Sequence, residues 1–235
     1  CVVPSRQGVL SSSTTWPAAL VCTRSLASAG RVMLRHSCSN DLRSSAAQRT
    51  ALTSEDVLNW LRGDQSKEKS FGGLLRNRSK VLGDIINSDP YFVGNEDYGY
   101  GSSGMLSTDI RAAYVTRKFS TAFKSRKKML YVGANDGMLH GFNAETGVEE
   151  FAYVPNVAGY GNLFSLSQPA YTHRYLVDGP PRAADAHIRG RGESSPSWKT
   201  VLVGSTGAGG KGYFALDVDN PGAMDKTKVL WEFSH

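Results

Sequence analysis

Through the second half of the chain, apolar and polar residues alternate in short bursts separated by glycine-rich turns. Tyr131-Val-Gly-Ala134 leads through Asn135-Asp-Gly137 into Met138-Leu-His-Gly-Phe-Asn143, then past Gly147 into Val148-Glu-Glu-Phe151. The cadence recurs as Leu202-Val-Gly204, a Gly-rich turn, Gly212-Tyr-Phe-Ala-Leu-Asp217 and Val229-Leu-Trp231. Period-two alternation over such short runs predicts half-buried β-strands. Asn135-Asp136-Gly137 suits a hairpin, because its residues tolerate positive φ. A unit repeated in this way cannot bury its apolar face alone and must stack on its sibling. The pattern predicts a mainly β fold, a partial β-propeller of antiparallel blades. Phe151 and Trp231 end the third strands and are expected to pack between blades, each contributing about 2 kcal/mol.

Upstream, the pattern changes period. Thr53 or Ser54 can cap a helix whose first turn holds Glu55 and Asp56 and whose stripe is Val57, Leu58, Trp60 and Leu61. Gly63 is placed to end it in the left-handed conformation. A second short helix is read from Ile110, Ala113, Tyr114, Ala122 and Phe123, with Lys124, Arg126, Lys127 and Lys128 crowding its carbonyl end. Val81–Ile86 and Tyr91–Val93 read as strands about a turn at 87–90. The runs 173–178 and 183–188 read as a hairpin across Gly179-Pro-Pro181, with loops at 155–168 and 189–196.

Residues 1–50 carry neither period. They hold six Arg, no Lys, one acidic residue and many Ser and Ala. That composition has the flavour of a transit peptide, but it lacks an ordered n-region, apolar core and cleavage site. The expectation is a disordered or spurious extension, followed by a domain over 53–235. The start at Cys1 and the stop at His235, straight after a strand, suggest an incomplete record.

Composition narrows the function classes only modestly. Hydrophobic residues make up 40% of the 235, enough for a core, and 25 glycines suit a turn-dense protein. No run of about 18 apolar residues encodes a membrane span. A net charge of +6 without a stacking-aromatic motif gives no reason to invoke nucleic acid. Cys1, Cys22 and Cys38 precede the blades, so the blades depend on strand packing.

Candidate chemistry is sparse. Gly207-Ala-Gly-Gly-Lys-Gly212 resembles a phosphate loop only in composition, because a strand follows it where a P-loop needs a helix. The five histidines share no metal spacing, and no Gly-x-Ser-x-Gly elbow is present. Asp136 and Asp178 each precede Gly, as turn residues do. His140 alternates with Leu139, so one of the pair faces solvent or a neighbouring blade. No catalytic residue is identified. Arg62-Gly63-Asp64 spells a tripeptide that integrins can read, although a helix end accounts for it structurally.

Several stretches together resemble the C-terminal propeller of the PilC/PilY family of type IV pilus assembly and adhesion proteins. They are Leu61-Arg-Gly-Asp64, Leu82-Gly-Asp-Ile-Ile-Asn-Ser-Asp-Pro90, Leu130 to His140, His173 to Gly179, and Lys199 through Gly207-Ala-Gly-Gly-Lys-Gly212 to Asp217. The resemblance runs from about Thr53 to Phe233. Gly141 and Asn143 depart from it, standing where such repeats usually have Ala and Asp. It implies a non-enzymatic protein of the cell surface or pilus, exported through periplasm and outer membrane. Its implied partners are pilins, minor pilins and host or abiotic surfaces. It also implies calcium, bound in a D-x-D-x-D-G type loop expected in a missing downstream part. Asp217 and Asp219 are the nearest approach here, and turn capping explains Asp217 more simply. Two rivals share the blade pattern: a fragment of a PQQ-type quinoprotein dehydrogenase, and a scaffold propeller of outer-membrane assembly.

Overall fold

Two antiparallel sheets stacked face to face organise the chain. The computed structural model describes residues 20–22 and 46–234. In chain order the elements are β1 (Leu20–Cys22), α1 (Ala46–Ala51), α2 (Ser54–Leu61), β2 (Tyr91–Val93), α3 (Thr108–Phe119) and α4 (Thr121–Lys124). Then come β3 (Met129–Ala134), β4 (Met138–Asn143), β5 (Glu149–Val154), α5 (Tyr160–Leu166), β6 (Arg182–Ile188), β7 (Ser197–Ser205), β8 (Gly212–Asp217) and β9 (Val229–Ser234). The first sheet has the order β1-β5-β4-β3-β2, the second β6-β7-β8-β9. Most of the span read as an extension, 1–19 and 23–45, lies outside the described residues. Within it, Leu20–Cys22 pairs with β5, Val21 opposite Tyr153.

The repeat is real down to its irregularities. In the first sheet the register passes Tyr131–Gly141–Phe151, and in the second Val203–Ala215–Trp231. Each middle strand shifts register at the matching place, between Gly141 and Phe142 and between Ala215 and Leu216. Such bulges bend a strand and sharpen its twist. Close approach explains Gly204: a Cβ there would lie 2.3 Å from the Phe214 ring. Gly141, one of the two departures from the family pattern, meets the same constraint. Its Cβ would lie 2.7 Å from the Phe151 ring.

The first sheet has two strands more than the repeat predicts, with β1 at its other edge, and the second has one more. β2 adds beside β3, and β6 adds beside β7 through the 189–196 loop. The hairpin expected across Gly179-Pro-Pro181 does not form. Leu176 and Val177 are buried, the Leu176 N–H donates to Asn135 Oδ1, and Asp178 and Gly179 N–H groups donate to the carbonyls of Thr206 and Ser205. That segment ties the two sheets together and has no ladder partner of its own. Residues 81–86 are likewise not a strand, because their backbone is spent on side chains and a turn. Gly83 N–H donates to Asp136 Oδ2 at 3.0 Å, and the Asp84 carbonyl accepts from Asn135 N–H.

The resulting strap, residues 83–88, stitches the first sheet to the second. Asn87 Nδ2 donates to Asp178 Oδ2 at 2.6 Å. Ser88 Oγ donates to the Gly179 carbonyl and accepts from Gly133 N–H at 2.9 Å.

One core cluster lies between the sheets, with Tyr131, Phe151 and Tyr153 meeting Leu202, Phe214 and Leu216. Tyr91 of β2 reaches across to donate its hydroxyl to the Ala183 carbonyl of β6. A second cluster covers the far face of the first sheet. There Met138, Ala152 and Val154 pack with Val57, Trp60 and Leu61 of α2 and with Leu163 and Leu166 of α5. α5 occupies part of the stretch read as a loop, because Leu163 and Leu166, three apart, share one buried helical face. The second predicted helix is split at Ser120, whose extended backbone ends α3 and whose hydroxyl caps α4 through Phe123 N–H.

Candidate functional site

Arg62, Gly63 and Asp64 finish α2. Thr53 starts that helix with a capping box: Thr53 Oγ1 accepts from Asp56 N–H, and Asp56 Oδ2 accepts from Thr53 N–H. At the other end Gly63 sits at φ +116°, its N–H donating to the Trp60 carbonyl, while Asp64 N–H donates to Asn59. Those two bonds are a Schellman motif, the closure for which glycine is best suited. Arg62 Nη1 donates to Asn59 Oδ1, and Asp64 Oδ1 accepts from Ser66 N–H at 2.8 Å. Asp64 is exposed and Arg62 partly so. The tripeptide is therefore presented at the surface on a firmly closed helix end.

Asp217 and Asp219, the nearest approach to a calcium pair, are each engaged by other groups. Asp217 Oδ1 accepts from Asp219 N–H at 3.1 Å, a turn cap, and its Oδ2 faces Lys199 and Lys228. Asn143, at the matching position of the first blade, caps its own turn by accepting from Glu145 and Thr146. Asp219 is paired with Arg117 and lies 3.6 Å from Arg126. Two carboxylates already satisfied by cations do not fit a divalent ion. Among the described residues no group of three or more His, Cys, Asp or Glu could hold one.

Asp219 instead belongs to a charge network that the sequence reading missed. Asp185, buried on β6, meets Lys118 Nζ at 2.7 Å and Arg117 Nη1 at 3.2 Å. Thr200 Oγ1 donates to Asp185 and accepts from Arg117 and Arg126. Arg117, Lys118 and Arg126 also surround the Phe123 ring, with charge centres 4.2–4.5 Å from its centroid. Burial holds the Lys118 ammonium below its usual range, opposed by Asp185. Part of the basic run read as complementing a helix end thus turns inward. Two of its other members are paired outside, Lys127 with Glu150 and Lys128 with Glu145. The available signal was alternation: Ala183 and Asp185 share the inward face of β6.

For His140 the alternation with Leu139 holds, but its two carboxylate partners were missed. Leu139 faces the neighbouring blade, and His140 points the other way into the helix-covered face, fully buried. Its Nδ1 lies 2.6 Å from Glu149 Oε1 and its Nε2 3.0 Å from Asp136 Oδ1. Burial pushes its pKa down, but the two carboxylates outweigh this and hold it up at about 9. A histidine enclosed in this way locks a turn and a strand edge; no substrate reaches it.

A family model described as the PilY1 beta-propeller domain matches residues 82–235. The chain is 42% identical over 187 residues to a type IV pilus biogenesis factor PilY1 homolog of Xylella fastidiosa (strain Temecula1), covering 78% of this chain. It is 44% identical over 181 residues, 76% of this chain, to type IV pilus biogenesis factor PilY1 of Pseudomonas aeruginosa (strain PAK). The chain spans 14% of the length of each of these two relatives. The crystal structure of the Pseudomonas aeruginosa PilY1 C-terminal domain aligns over 61% of this chain and 25% of that one, at 39% identity and a TM-score of 0.41.

Proposed function

The chain belongs to the PilY1 β-propeller family, and on that premise we propose that it serves in type IV pilus biogenesis as a non-enzymatic propeller segment. The observation that carries this reading is the family match over 82–235, which takes in both stacked sheets. The relatives are named as pilus biogenesis factors, which fits this reading and neither a quinoprotein dehydrogenase nor an outer-membrane scaffold. Pilins and minor pilins are the proposed partners, and the pilus or cell surface, reached through periplasm and outer membrane, is the proposed location. Among the described residues no helix is long and apolar enough to cross a membrane. Any calcium the family takes would be held by residues other than Asp217 and Asp219.

The direct test is a segment exchange. Residues 53–235 would replace the corresponding part of PilY1 in a Pseudomonas aeruginosa strain, with piliation and twitching as readouts. Retained surface pili are expected. A stable chimera that leaves the cells bare would defeat the proposal.

Surface attachment enters the same reading through Arg62-Gly63-Asp64, favoured by the exposure of Asp64 beyond the closed helix end. Asp64→Glu keeps the charge and lengthens the reach. Weaker attachment to host cells is the expected result, and unchanged attachment would remove the tripeptide from consideration.

A further inference from the structure

A cleft of about 540 Å³ opens on the helix-covered side of the first sheet, between α2, the stretch leading into the strap, and the β3–β4 turn. Its apolar wall is Leu61, Val81, Leu82 and Leu166. Arg76 lines it and is anchored at its backbone, at Nε and against two rings. Its backbone N–H donates to the Ser167 carbonyl, and its Nε donates to the Leu166 carbonyl at 2.7 Å. Its guanidinium carbon sits 4.5 Å from the Tyr171 ring centroid and 5.6 Å from that of Trp60. Trp60 is fixed in turn, its Nε1–H shared between Glu68 Oε1 and the Arg76 carbonyl.

The two terminal amino groups of Arg76 have no hydrogen-bond or ion-pair partner among the described residues. Glu68 attracts it only from beyond ion-pair distance. Arg78, also in the cleft, is committed to Glu68 at 2.8 Å. The cleft carboxylates are likewise engaged, Asp84 by Asn135 and His173, and Asp136 by His140 and Gly83. Lys80, exposed at the same cleft, adds a second cation without an ion pair among the described residues.

A guanidinium with both outer N–H pairs unspent presents a planar fork that matches a carboxylate in bidentate geometry. Because Arg76 is already immobilised by two rings and a carbonyl, little further ordering is needed when an anion arrives. The adjoining Val81, Leu82 and Leu166 suit an aliphatic group beside that anion. We propose that this cleft is a binding site for a carboxylate joined to a short apolar group, the chemistry of a peptide's C-terminal leucine or of an acidic side chain next to one. The proposal stands apart from the pilus reading and needs no pilus for its test.

The test uses the full chain and three fluorescein-labelled probe peptides, followed by anisotropy. One ends in Leu-Leu with a free carboxylate, the second is its amide, and the third is an amide carrying Glu before the final Leu. Binding of the free acid or of the Glu peptide, with the plain amide at least tenfold weaker, is the expected result and identifies which carboxylate is read. Arg76→Gln should weaken that binding at least tenfold, while Arg174→Gln, at an exposed arginine outside the cleft, should leave it unchanged. Leu82→Asp, which sets a negative charge in a partly exposed wall, supplies the same loss independently if Arg76→Gln does not fold. Equal binding of all three peptides by the unaltered chain, or no binding at millimolar peptide, would overturn the proposal. So would binding indifferent to both folded variants.

Discussion

Phe151 and Trp231 hold the same register position in sibling sheets, one opposite Gly141 and the other opposite Ala215, yet they have opposite fates. Phe151 is wholly buried between the blades, and Trp231 is 44% exposed on the outer face of the second sheet. The expectation that both pack between blades therefore holds for Phe151 and fails for Trp231. The cause is position: the face bearing Tyr213, Trp231 and Phe233 has no neighbouring sheet among the described residues.

The two positions should separate cleanly in a melting experiment. Phe151→Ala leaves a void at the centre of the inter-sheet core and is expected to cost about 3–5 kcal/mol. Trp231→Ala removes a half-exposed ring and should cost about 1 kcal/mol or less. Equal losses in thermal or urea unfolding would contradict the described packing.

His140 makes stability depend on pH in a defined direction. Its folded pKa, about 9, lies above its ordinary 6.5. The stabilisation is therefore complete below about pH 6.5 and disappears as pH rises through 9. Urea midpoints of the unaltered chain should fall across that window, while His140→Gln, starting lower, should show a flatter profile. Parallel profiles for the two proteins would rule out the Asp136–His140–Glu149 clamp as the source.

Asp185 balances two buried cations. Asp185→Asn keeps the shape and leaves Arg117 its second partner, Asp219, but leaves the buried Lys118 facing a neutral amide, an uncompensated charge expected to cost about 3–5 kcal/mol. A loss under about 1 kcal/mol in chemical denaturation would mean that the network is solvated in solution.

Gly63 allows folding and attachment to be told apart. At φ +116°, and with Val81 Cγ1 3.0 Å from any added Cβ, Gly63→Ala should cost about 1–2 kcal/mol. Asp64→Glu, at an exposed position, should leave the melting temperature within about a degree. If both variants melt alike, the helix closure seen at this end is not contributing.

Alternation and turn residues were enough to read the blades, because the period-two pattern from Met129 to Phe151 and from Trp198 to Phe233 is a local property. The capping box at Thr53 and the left-handed Gly63 were legible for the same reason. What escaped were features made by distant partners. Residues 81–86 and 173–178 have strand-like composition, but their hydrogen bonds go to side chains and turns elsewhere in the chain. Likewise, nothing local to Arg117 or Arg126 says that Asp185 and Thr200 will meet them. The carboxylate of Asp219, weighed as a metal ligand from its spacing to Asp217, is claimed by an arginine 102 residues away.

Synthesis runs in one direction, and the strap must live with that. Asn87 leaves the ribosome 91 residues ahead of Asp178, its partner. At ordinary elongation rates of about 5–20 residues per second, the segment spends several seconds with only its first-sheet partners to grip. The first sheet can assemble in that interval, but it cannot be fastened to its sibling until the second emerges. This stretch is where a chaperone would find the nascent chain open.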